Sequence, residues 1–271
     1  MNDYLQKMFT VEGKVVAVTG GCGGIGMGLC EELLKAGAQV AVVDYDASKI
    51  DSTVQELQSK TGGTVRGYRC NITDEASVRE AFAGIDRDFG SVYGLINCAG
   101  ISHVEYLSTM SIDKWQAVMD VNLRGTVLCT KVAGEYMAKD RVGRVINISS
   151  LAATHGKPQY CAYTPSKAAV NGFTFTLAAE WAHKGITVNG ISPVLVVTNI
   201  NRHQVESDPA YLQRVLHVIP QGRLCSPQLL VGTVIFLLSD ASSFVTGQII
   251  GCDGGSQNGD VGAFVPEEYS D

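Results

Sequence analysis

A glycine-rich turn between a strand pattern and a helix pattern constrains the fold of this chain more than any other feature. The apolar run Lys14–Thr19 (KVVAVT) is typical of a strand that is covered on both faces. It leads into Thr19–Gly26 (TGGCGGIG), and from Met27 to Leu34 apolar residues recur at helical spacing. Glycines let a backbone approach a pyrophosphate, and a helix N-terminus supplies free N–H groups and a positive dipole end. The segment therefore predicts a dinucleotide-binding strand–turn–helix unit.

An acidic residue at the end of the second predicted strand bears on the choice of dinucleotide. Asp44 closes Gln39–Asp44 (QVAVVD), eighteen residues after Gly26. A carboxylate there can accept hydrogen bonds from the adenosine ribose hydroxyls, and it repels the additional phosphate of NADP. Cys22 in the turn carries no positive charge, and no arginine or lysine adjoins Asp44 to receive that phosphate. We therefore expect NAD, unless a more distant lysine or arginine folds back onto the site.

Strand and helix patterns alternate along the rest of the chain without an intervening linker. Further strands are predicted at residues 64–70, 94–97, 144–149, 187–192 and 248–251, and helices at 74–89, 112–139, 162–183 and 226–239. Such alternation is typical of a parallel sheet with helices on both faces. The chain is therefore predicted to be a single α/β domain over residues 1–271, with one Rossmann-type, doubly wound parallel sheet of about seven strands.

Two segments depart from this alternation. Residues 198–216 form a polar helical insertion, where a substrate lid would lie over the catalytic end of the sheet. Residues 257–271 are acidic and without pattern, which predicts a frayed tail or a subunit arm beyond a core of about residues 10–256.

Composition narrows the class of protein. A net charge of −6 argues against nucleic acid and anionic membrane surfaces as partners. The sequence contains no transmembrane run and no signal-peptide pattern. The eight cysteines have no Cys-x2-Cys spacing and lie mostly in apolar segments, which predicts reduced thiols rather than disulfides or a metal site. We therefore expect a cytoplasmic protein without a bound metal.

A serine, a tyrosine and a lysine in the second half of the chain carry the catalytic prediction. Tyr163 and Lys167 are four residues apart, which places both on one face of a helix, and Ser150 precedes Tyr163 by thirteen residues. A tyrosine normally loses its proton near pH ~10, and a neighbouring lysine cation lowers that pKa by favouring the phenolate. The three groups therefore predict proton abstraction from an alcohol, coupled to hydride transfer. A second pair at this spacing, Tyr45 and Lys49, lacks an upstream serine and is interpreted as the start of a surface helix.

These motifs, in this order, resemble the short-chain dehydrogenases/reductases over about residues 10–256. Besides the glycine-rich turn and the Ser–Tyr–Lys set, the resemblance rests on Asn97-Cys98-Ala99-Gly100, Asn122 within MDVNL, Thr198, and a C-terminal pattern that runs from Ile219 through Gly247 to Gly255. The resemblance implies a catalytic set of Asn122, Ser150, Tyr163 and Lys167, in which Asn122 holds a water that relays protons. It implies cofactor contacts at Gly20, Cys22, Gly24, Ile25, Gly26, Asp44, Asn71, Ile72, Asn97, Ala99, Gly100, Tyr163, Lys167, Pro193, Val196 and Thr198.

Substrate contacts are less constrained by these motifs. Residues that lie near the catalytic end by their position are candidates: His103, His155, Gln159, Tyr160 and Val194. The histidines could equally be structural or face solvent. Arg202 and His203, in the insertion, could meet a phosphate or a hydroxyl-rich substrate, but a solvated helix face is the competing interpretation.

Three departures from the family pattern bear on the site. Asn71 stands where the family usually has an aspartate near the adenine, and an amide can still form a hydrogen bond there. Cys98 replaces the second asparagine of Asn-Asn-Ala-Gly, which removes one polar contact. Pro193 is followed by Val194-Leu195 rather than by glycine. This segment resembles the polyol and pentulose branch of the family, which includes xylulose reductases and sorbitol and galactitol dehydrogenases.

The combined prediction is an NAD-dependent enzyme that interconverts a secondary alcohol and a ketone, with a sugar alcohol or ketose as the substrate. A 3-oxoacyl thioester reductase is the alternative enzyme. It would favour NADPH and a basic surface for an acidic carrier protein, and both Asp44 and an isoelectric point of about 5.4 count against it. A non-catalytic NAD sensor is a third possibility, but a sensor has no need of the complete Ser–Tyr–Lys set. The resemblance also implies a homodimer built through the helices at 112–139 and 162–183, or a homotetramer that the C-terminal segment completes.

Overall fold

One parallel β-sheet forms the centre of the structure. The computed structural model describes residues 3–90, 92–198 and 201–258. The strands within these ranges are β1 (Val15–Thr19), β2 (Gln39–Asp44), β3 (Val65–Arg69), β4 (Gly94–Asn97), β5 (Gly143–Ile148), β6 (Ile186–Pro193) and β7 (Ile249–Cys252). They pair in parallel in the order β3-β2-β1-β4-β5-β6-β7. The predicted doubly wound sheet is therefore confirmed.

The strand order reverses at β1. This strand pairs with β2 on one side and with β4 on the other, so that Thr19 lies opposite both Val43 and Asn97. The connections that leave β1 and β4 run to opposite sides, and the carboxyl ends of these strands therefore open a crevice. Ligands of doubly wound sheets bind at such a switch point. The glycine-rich turn begins at this crevice, and so does the segment that follows Asn97.

Helices pack on both faces of the sheet. Those of the described residues are α1 (Asp3–Phe9), α2 (Gly24–Lys35), α3 (Ala47–Thr61), α4 (Glu75–Phe89), α5 (Ile112–Met119), α6 (Thr126–Asp140), α7 (Tyr163–Trp181), α8 (Arg202–Ser207), α9 (Pro209–His217) and α10 (Pro227–Leu238). One apolar core includes α2 and α10, with Leu29 and Leu230 fully buried. A second core includes α4, α6 and α7, with Phe82 and Met137 fully buried. Helices cover both faces of the sheet, so β1 and β5 are buried at every residue, and the polar side chains buried within them are Thr19, Arg144 and Asn147.

The predicted strand boundaries agree with the structure to within one residue at each end. The sequence interpretation did not predict α1, and of α3 it predicted only the start, near Tyr45 and Lys49. The rest of α3 was missed because its sequence is polar, and only Ile50, Thr53 and Leu57 are buried. The interpretation of Lys49 as part of a surface helix is confirmed, because its ammonium pairs with the α3 cap Asp46 at 2.9 Å.

Two predicted helical segments differ from the structure. The helix expected at 112–139 is not continuous, because a π-helical turn at Asp120–Gly125 separates α5 from α6. The insertion at 198–216 forms two short helices, α8 and α9, and the Asp208 carboxylate caps α9 by accepting from the Tyr211 N–H at 2.9 Å. The predicted tail lies outside the described residues from position 259 onward. Along the described part of the chain, no helix combines the length and the apolar character needed to cross a membrane.

Candidate active site

The glycine-rich turn forms a cradle that only small residues can line. Gly20 has a φ of 66°, and a Cβ there would lie 2.8 Å from the Cα of Ala99. A Cβ at Gly26 would overlap the carbonyl oxygen of Gly20. Gly23 precedes α2 and has no side chain to cap it, so the first N–H groups of α2 lack the side-chain partner that Asp46 gives α3. Free N–H groups and a helix dipole at a narrow backbone turn fit a pyrophosphate.

Gly26→Ala is expected to destabilise the protein and to abolish dinucleotide binding. The new methyl group meets backbone rather than a flexible side chain, so the turn itself must move, at a cost of about 1–3 kcal/mol. Calorimetric titration with NAD and thermal unfolding measure the two effects. Gly232→Ala is the matched control, because Gly232 lies within α10 with open space at its Cβ position. That variant should bind NAD normally and gain about 0.5–1 kcal/mol in stability. Normal NAD binding by Gly26→Ala would show that this turn is not the pyrophosphate site.

Asp44 is held at the edge of the same turn. Its Oδ2 atom accepts from the Cys22 N–H at 3.0 Å, and its Oδ1 atom accepts from the Asp46 N–H at 3.1 Å. Lys49 is close enough to interact with the charge of Asp44, but a hydrogen bond to Asp46 is the main reason that the pKa of Lys49 is raised. Lys49 is therefore paired with Asp46 and does not neutralise the Asp44 carboxylate that faces the turn.

Three further predicted cofactor contacts have local partners. The Oδ1 atom of Asn71 accepts from the N–H and the hydroxyl of Thr73, at 3.2 and 2.8 Å. Ile72 packs beside Gly125. The side chain of Thr198, on the segment that follows β6, lies against Gly24 at the start of α2. These residues surround the crevice, and Asn71 fixes the turn after β3 in the way that an aspartate would.

The predicted catalytic side chains meet in one large cavity at the carboxyl edge of the sheet. The cavity has a volume of about 910 Å³, and Ser150, Tyr163 and Lys167 all line it. Lys167 is buried, and its ammonium donates to the carbonyl oxygen of Ile148 at 2.8 Å. The same ammonium lies 5.8 Å from the centroid of the Tyr163 ring. Tyr163 and Lys167 lie four residues apart on α7, and Ser150 follows the end of β5. The phenol, the ammonium and the serine hydroxyl therefore meet in one cavity.

Burial dominates the protonation of this cluster. Removal from water raises the pKa of Tyr163, and a hydrogen bond with Ser150 opposes that rise only in part. Removal from water also lowers the pKa of Lys167 to about 8, while the neighbouring Cys98 acts in the opposite direction. Both groups are thus shifted toward their neutral forms. The expected lowering of the Tyr163 pKa is not met in this structure, because desolvation outweighs the hydrogen bond with Ser150.

Lys167→Met is expected to change the pH dependence of stability. The pKa of Lys167 is about 8 in the folded protein against an ordinary 10.5, so the unfolded chain binds more protons between these two values. The stability of the wild type should therefore rise relative to that of the variant from pH 8 to pH 10.5, by at most about 3 kcal/mol. Urea unfolding of both proteins across this range measures the effect. A difference that is the same at every pH would contradict the lowered pKa.

Asn122 lies behind the cavity on the π-helical turn and is fully buried. Its Oδ1 atom accepts from the Ile101 N–H at 2.8 Å. Its Nδ2 atom donates to the Ile101 carbonyl at 2.9 Å and to the Ser166 hydroxyl at 2.9 Å. The Ser166 hydroxyl in turn donates to the Tyr163 carbonyl at 2.7 Å. Asn122 therefore ties the segment after Gly100 to the first turn of α7, beside Lys167.

Asn97 serves the sheet rather than the cavity. Its side chain is 4% exposed, and its Nδ2 atom donates to Thr130 and to Asn147, both at 2.8 Å. Asn147 then donates to the Thr174 hydroxyl at 2.8 Å. This buried ladder joins β4 and β5 to α6 and α7. The predicted cofactor contact of Asn97 is thus limited to its place beside the crevice.

The substrate candidates divide between the cavity and its surroundings. The predicted residues that line the cavity, besides the catalytic ones, are Ile25, Gly100, His155, Tyr160, Pro193, Val194 and Val196. His103 instead pairs with Glu105 at 2.7 Å, and together with Lys114 it holds the pKa of Glu105 at about 2. Gln159 has a φ of 71° and contributes its carbonyl to the Glu105 N–H. These two residues therefore support the loop before Tyr163.

Helix α9 supplies lining residues that the sequence interpretation missed. Tyr211, Arg214, Val215 and Val218 all line the cavity. Their spacing of i, i+3, i+4 and i+7 is that of one helix face, and this signal was present in the sequence. Arg202, the cation that was singled out in the insertion, is exposed and pairs with Glu206 at 3.4 Å.

The described residues contain no group of three or more His, Cys, Asp or Glu side chains that could hold a metal ion. All eight cysteines are free thiols. Burial raises the pKa of Cys98 to about 12, so the thiol beside Lys167 stays protonated.

Comparison with known proteins decides the family. A family model described as enoyl-(acyl carrier protein) reductase matches residues 20–257. The chain belongs to the short-chain dehydrogenase/reductase family. It is 34% identical to the D-threitol dehydrogenase of Mycolicibacterium smegmatis over 91% of this chain and 94% of that protein. It is 36% identical to a 3-oxoacyl-[acyl-carrier-protein] reductase of Thermotoga maritima over 90% of this chain and 98% of that protein.

A solved structure extends the likeness to three dimensions. The gluconate 5-dehydrogenase of Burkholderia cenocepacia, in complex with NADP and tartrate, has a TM-score of 0.88 at 30% identity, over 94% of this chain and 99% of that one. The family that the motifs resemble is therefore confirmed, and the threitol dehydrogenase supports its polyol branch. Short-chain dehydrogenases/reductases are oxidoreductases that use nicotinamide cofactors, and this chain shares that chemistry.

Proposed function

We propose that this short-chain dehydrogenase/reductase interconverts a secondary alcohol and a ketone of a small hydroxyl-rich molecule, with NAD as the cofactor. The observation that carries the proposal is the meeting of Ser150, Tyr163 and Lys167 in one cavity. That cavity lies at the carboxyl edge of the sheet, beside a glycine cradle that fits a pyrophosphate. A site of this kind joins a proton acceptor to a hydride acceptor, which is what alcohol oxidation requires.

Each residue of the site has a separate role in the proposed oxidation of the alcohol. Tyr163 takes the proton of the alcohol, and the Ser150 hydroxyl donates a hydrogen bond to the oxygen as it becomes a carbonyl. When bound, the oxidised nicotinamide supplies a hydride acceptor and a positive charge. Positive charge near the buried phenol favours the phenolate, which offsets the effect of desolvation. Lys167 holds its ammonium against the end of β5, releases one of its protons to water and takes up the proton from Tyr163 in its place, with Asn122 fixing the adjoining backbone.

The choice of NAD is supported by the carboxylate of Asp44 at the edge of the cradle. Its two oxygens accept from backbone N–H groups of Cys22 and Asp46, which fixes a negative charge where the ribose would lie. The similar gluconate 5-dehydrogenase is in complex with NADP and a similar xylitol dehydrogenase is bound to NAD, so proteins of this fold bind either dinucleotide. The proposal for this chain therefore depends on Asp44 and is tested at that residue.

The substrate class is supported by the threitol dehydrogenase and by the Val194-Leu195 segment that lines the cavity. A 3-oxoacyl thioester reductase remains the second candidate because a protein of that name is 36% identical to this chain. The net charge of −6 disfavours it, since an acidic carrier protein docks on a basic surface.

We also propose that the protein is cytoplasmic and forms a homodimer or homotetramer. Residues 198–216 are proposed as the substrate lid.

The experiment that tests the function follows nicotinamide reduction by its ultraviolet absorbance. The protein is incubated with NAD or NADP at mildly alkaline pH, and sugar alcohols and simple secondary alcohols are added in turn. NADH formation with one or a few polyols is the expected result. NADPH oxidation with 3-oxoacyl thioesters, and silence with every alcohol, would favour the second candidate. NAD binding without turnover of any alcohol or carbonyl compound would overturn both enzymatic functions.

A further inference from the structure

The charged groups that line the cavity on the substrate side are all cationic or can become so. They are Lys157 and His155 on the loop before Tyr163, and Arg214 on α9. No aspartate or glutamate is among the described residues that line this cavity. The whole chain has a net charge of −6, so a cationic lining is not a consequence of the overall composition.

Each of the two permanent cations is supported by a tyrosine of the same wall. The Lys157 ammonium lies 4.8 Å from the centroid of the Tyr160 ring. The Arg214 guanidinium lies 5.9 Å from the centroid of the Tyr211 ring. Both tyrosines also line the cavity. Contacts with aromatic faces position a cation without neutralising it, so the positive charge remains available to a ligand.

Acidic residues near these cations already have other partners. Glu105, on the loop that pairs with Tyr160, forms an ion pair with Lys114 at 3.1 Å. Glu206 pairs with Arg202, and Asp208 caps α9. Among the described residues, neither Arg214 nor Lys157 has an ion-pair partner. The two cations thus line the same cavity, Lys157 from the loop before α7 and Arg214 from α9.

We propose that the substrate carries an anionic group, a carboxylate or a phosphate, which Arg214 and Lys157 bind at the mouth of the cavity while the reacting carbinol lies at Ser150 and Tyr163. This inference rests on the proposed function and specifies its substrate class. A guanidinium binds such oxyanions through paired N–H donors, and the ammonium adds a second charge. The valines and leucines of the inner walls then contact the carbon skeleton.

The first test compares each anionic alcohol with its neutral counterpart. The pairs are gluconate with sorbitol, sorbitol phosphate with sorbitol, and glycerate with glycerol. We expect the anion of at least one pair to have a kcat/KM at least about tenfold higher, and this advantage to fall as salt is added, because the cations are exposed. A carboxylate and a phosphate are distinguished by which pair responds. Equal or better use of the neutral member in every pair would overturn the inference and leave the proposed function intact.

The second test assigns the effect to the residue. Arg214→Gln should raise KM for the favoured anion at least about tenfold, with kcat and the KM for NAD little changed, and Arg214→Lys should restore part of the loss. Arg202→Gln is the matched control, since this arginine is on the neighbouring helix and pairs with Glu206. Loss of anion preference in the control but not in Arg214→Gln would contradict the assignment.

A binding measurement separates this inference from the proposed function. Calorimetry with the NADH-saturated protein gives the affinity for gluconate, sorbitol phosphate and glycerate without any turnover. Tighter binding of these anions than of sorbitol and glycerol supports the inference even where no alcohol is oxidised. Equal affinities would overturn it, whatever the protein oxidises.

Discussion

Tyr163→Phe is expected to lower kcat for alcohol oxidation by at least about 10²-fold while NAD binding remains unchanged. The substitution removes only the hydroxyl that takes the proton. The ring stays in place, because it packs edge-on against Tyr160 with 5.9 Å between the centroids. Steady-state kinetics with the best alcohol of the panel and calorimetric titration with NAD measure the two quantities.

Tyr160→Phe is the matched control for this prediction. Tyr160 lines the same cavity and is the partner of Tyr163 in the edge-on contact. Its effect on the pKa of Tyr163 is smaller than the effect of burial. Its loss of a hydroxyl should change kcat less than about tenfold, since no proton transfer is assigned to it. Substantial activity in Tyr163→Phe, or an equal loss in both variants, would remove the phenol from the reaction.

A charge at Asp44 is expected to decide between the two dinucleotides. The wild type should use NAD with a kcat/KM at least about 100-fold higher than that for NADP, because juxtaposed like charges cost several kcal/mol. Asp44→Asn keeps the shape of the side chain but removes the repulsion, so this ratio should fall at least about tenfold. Adding Cys22→Arg to that variant places a cation on the turn and should reverse the preference.

Asp46→Asn tests whether position matters as well as charge. Asp46 is acidic, lies two residues away, and is occupied by its roles as the α3 cap and as the partner of Lys49. Its substitution should leave both the stability and the dinucleotide ratio nearly unchanged, because asparagine caps a helix about as well as aspartate does. Equal use of NAD and NADP by the wild type would show that a carboxylate at this edge does not exclude the additional phosphate.

The sheet could be predicted because each strand has a residue pattern that is visible within a few consecutive positions of the sequence. The strands at Val15–Thr19 and Gly143–Ile148 are buried at every residue, so most of their side chains are apolar, and the polar exceptions are Thr19, Arg144 and Asn147. The glycine-rich turn could also be predicted from the local sequence, because backbone contacts at Gly20 and Gly26 leave no room for a side chain. In both cases the constraint acts on neighbouring residues of the chain, where sequence patterns carry it.

Features that depend on distant packing could not be predicted in this way. The Asn122 side chain bonds to Ile101 and Ser166, which are far from it in sequence. The raised pKa of Tyr163 comes from burial by several segments, whereas the sequence shows only the lysine four residues away. Arg214 belongs to a helix face whose spacing was visible in the sequence. The cavity that this face lines is also formed by a separate loop, and the sequence does not show that the two segments meet.

The π-helical turn at Asp120–Gly125 makes the number of residues between α5 and α6 as restrictive as their identity. Such a turn contains one residue more than an α-helical turn. A π turn rotates less per residue than an α turn, so deleting one residue here would leave α6 at nearly the same rotation relative to α5. The additional residue therefore does not decide whether Cys129 and Met137 reach the second core, and its effect is confined to the turn, where Asn122 contacts Ile101. A relative that is one residue shorter in this segment can keep the same helix packing, but the contact between this turn and the catalytic edge must be made differently.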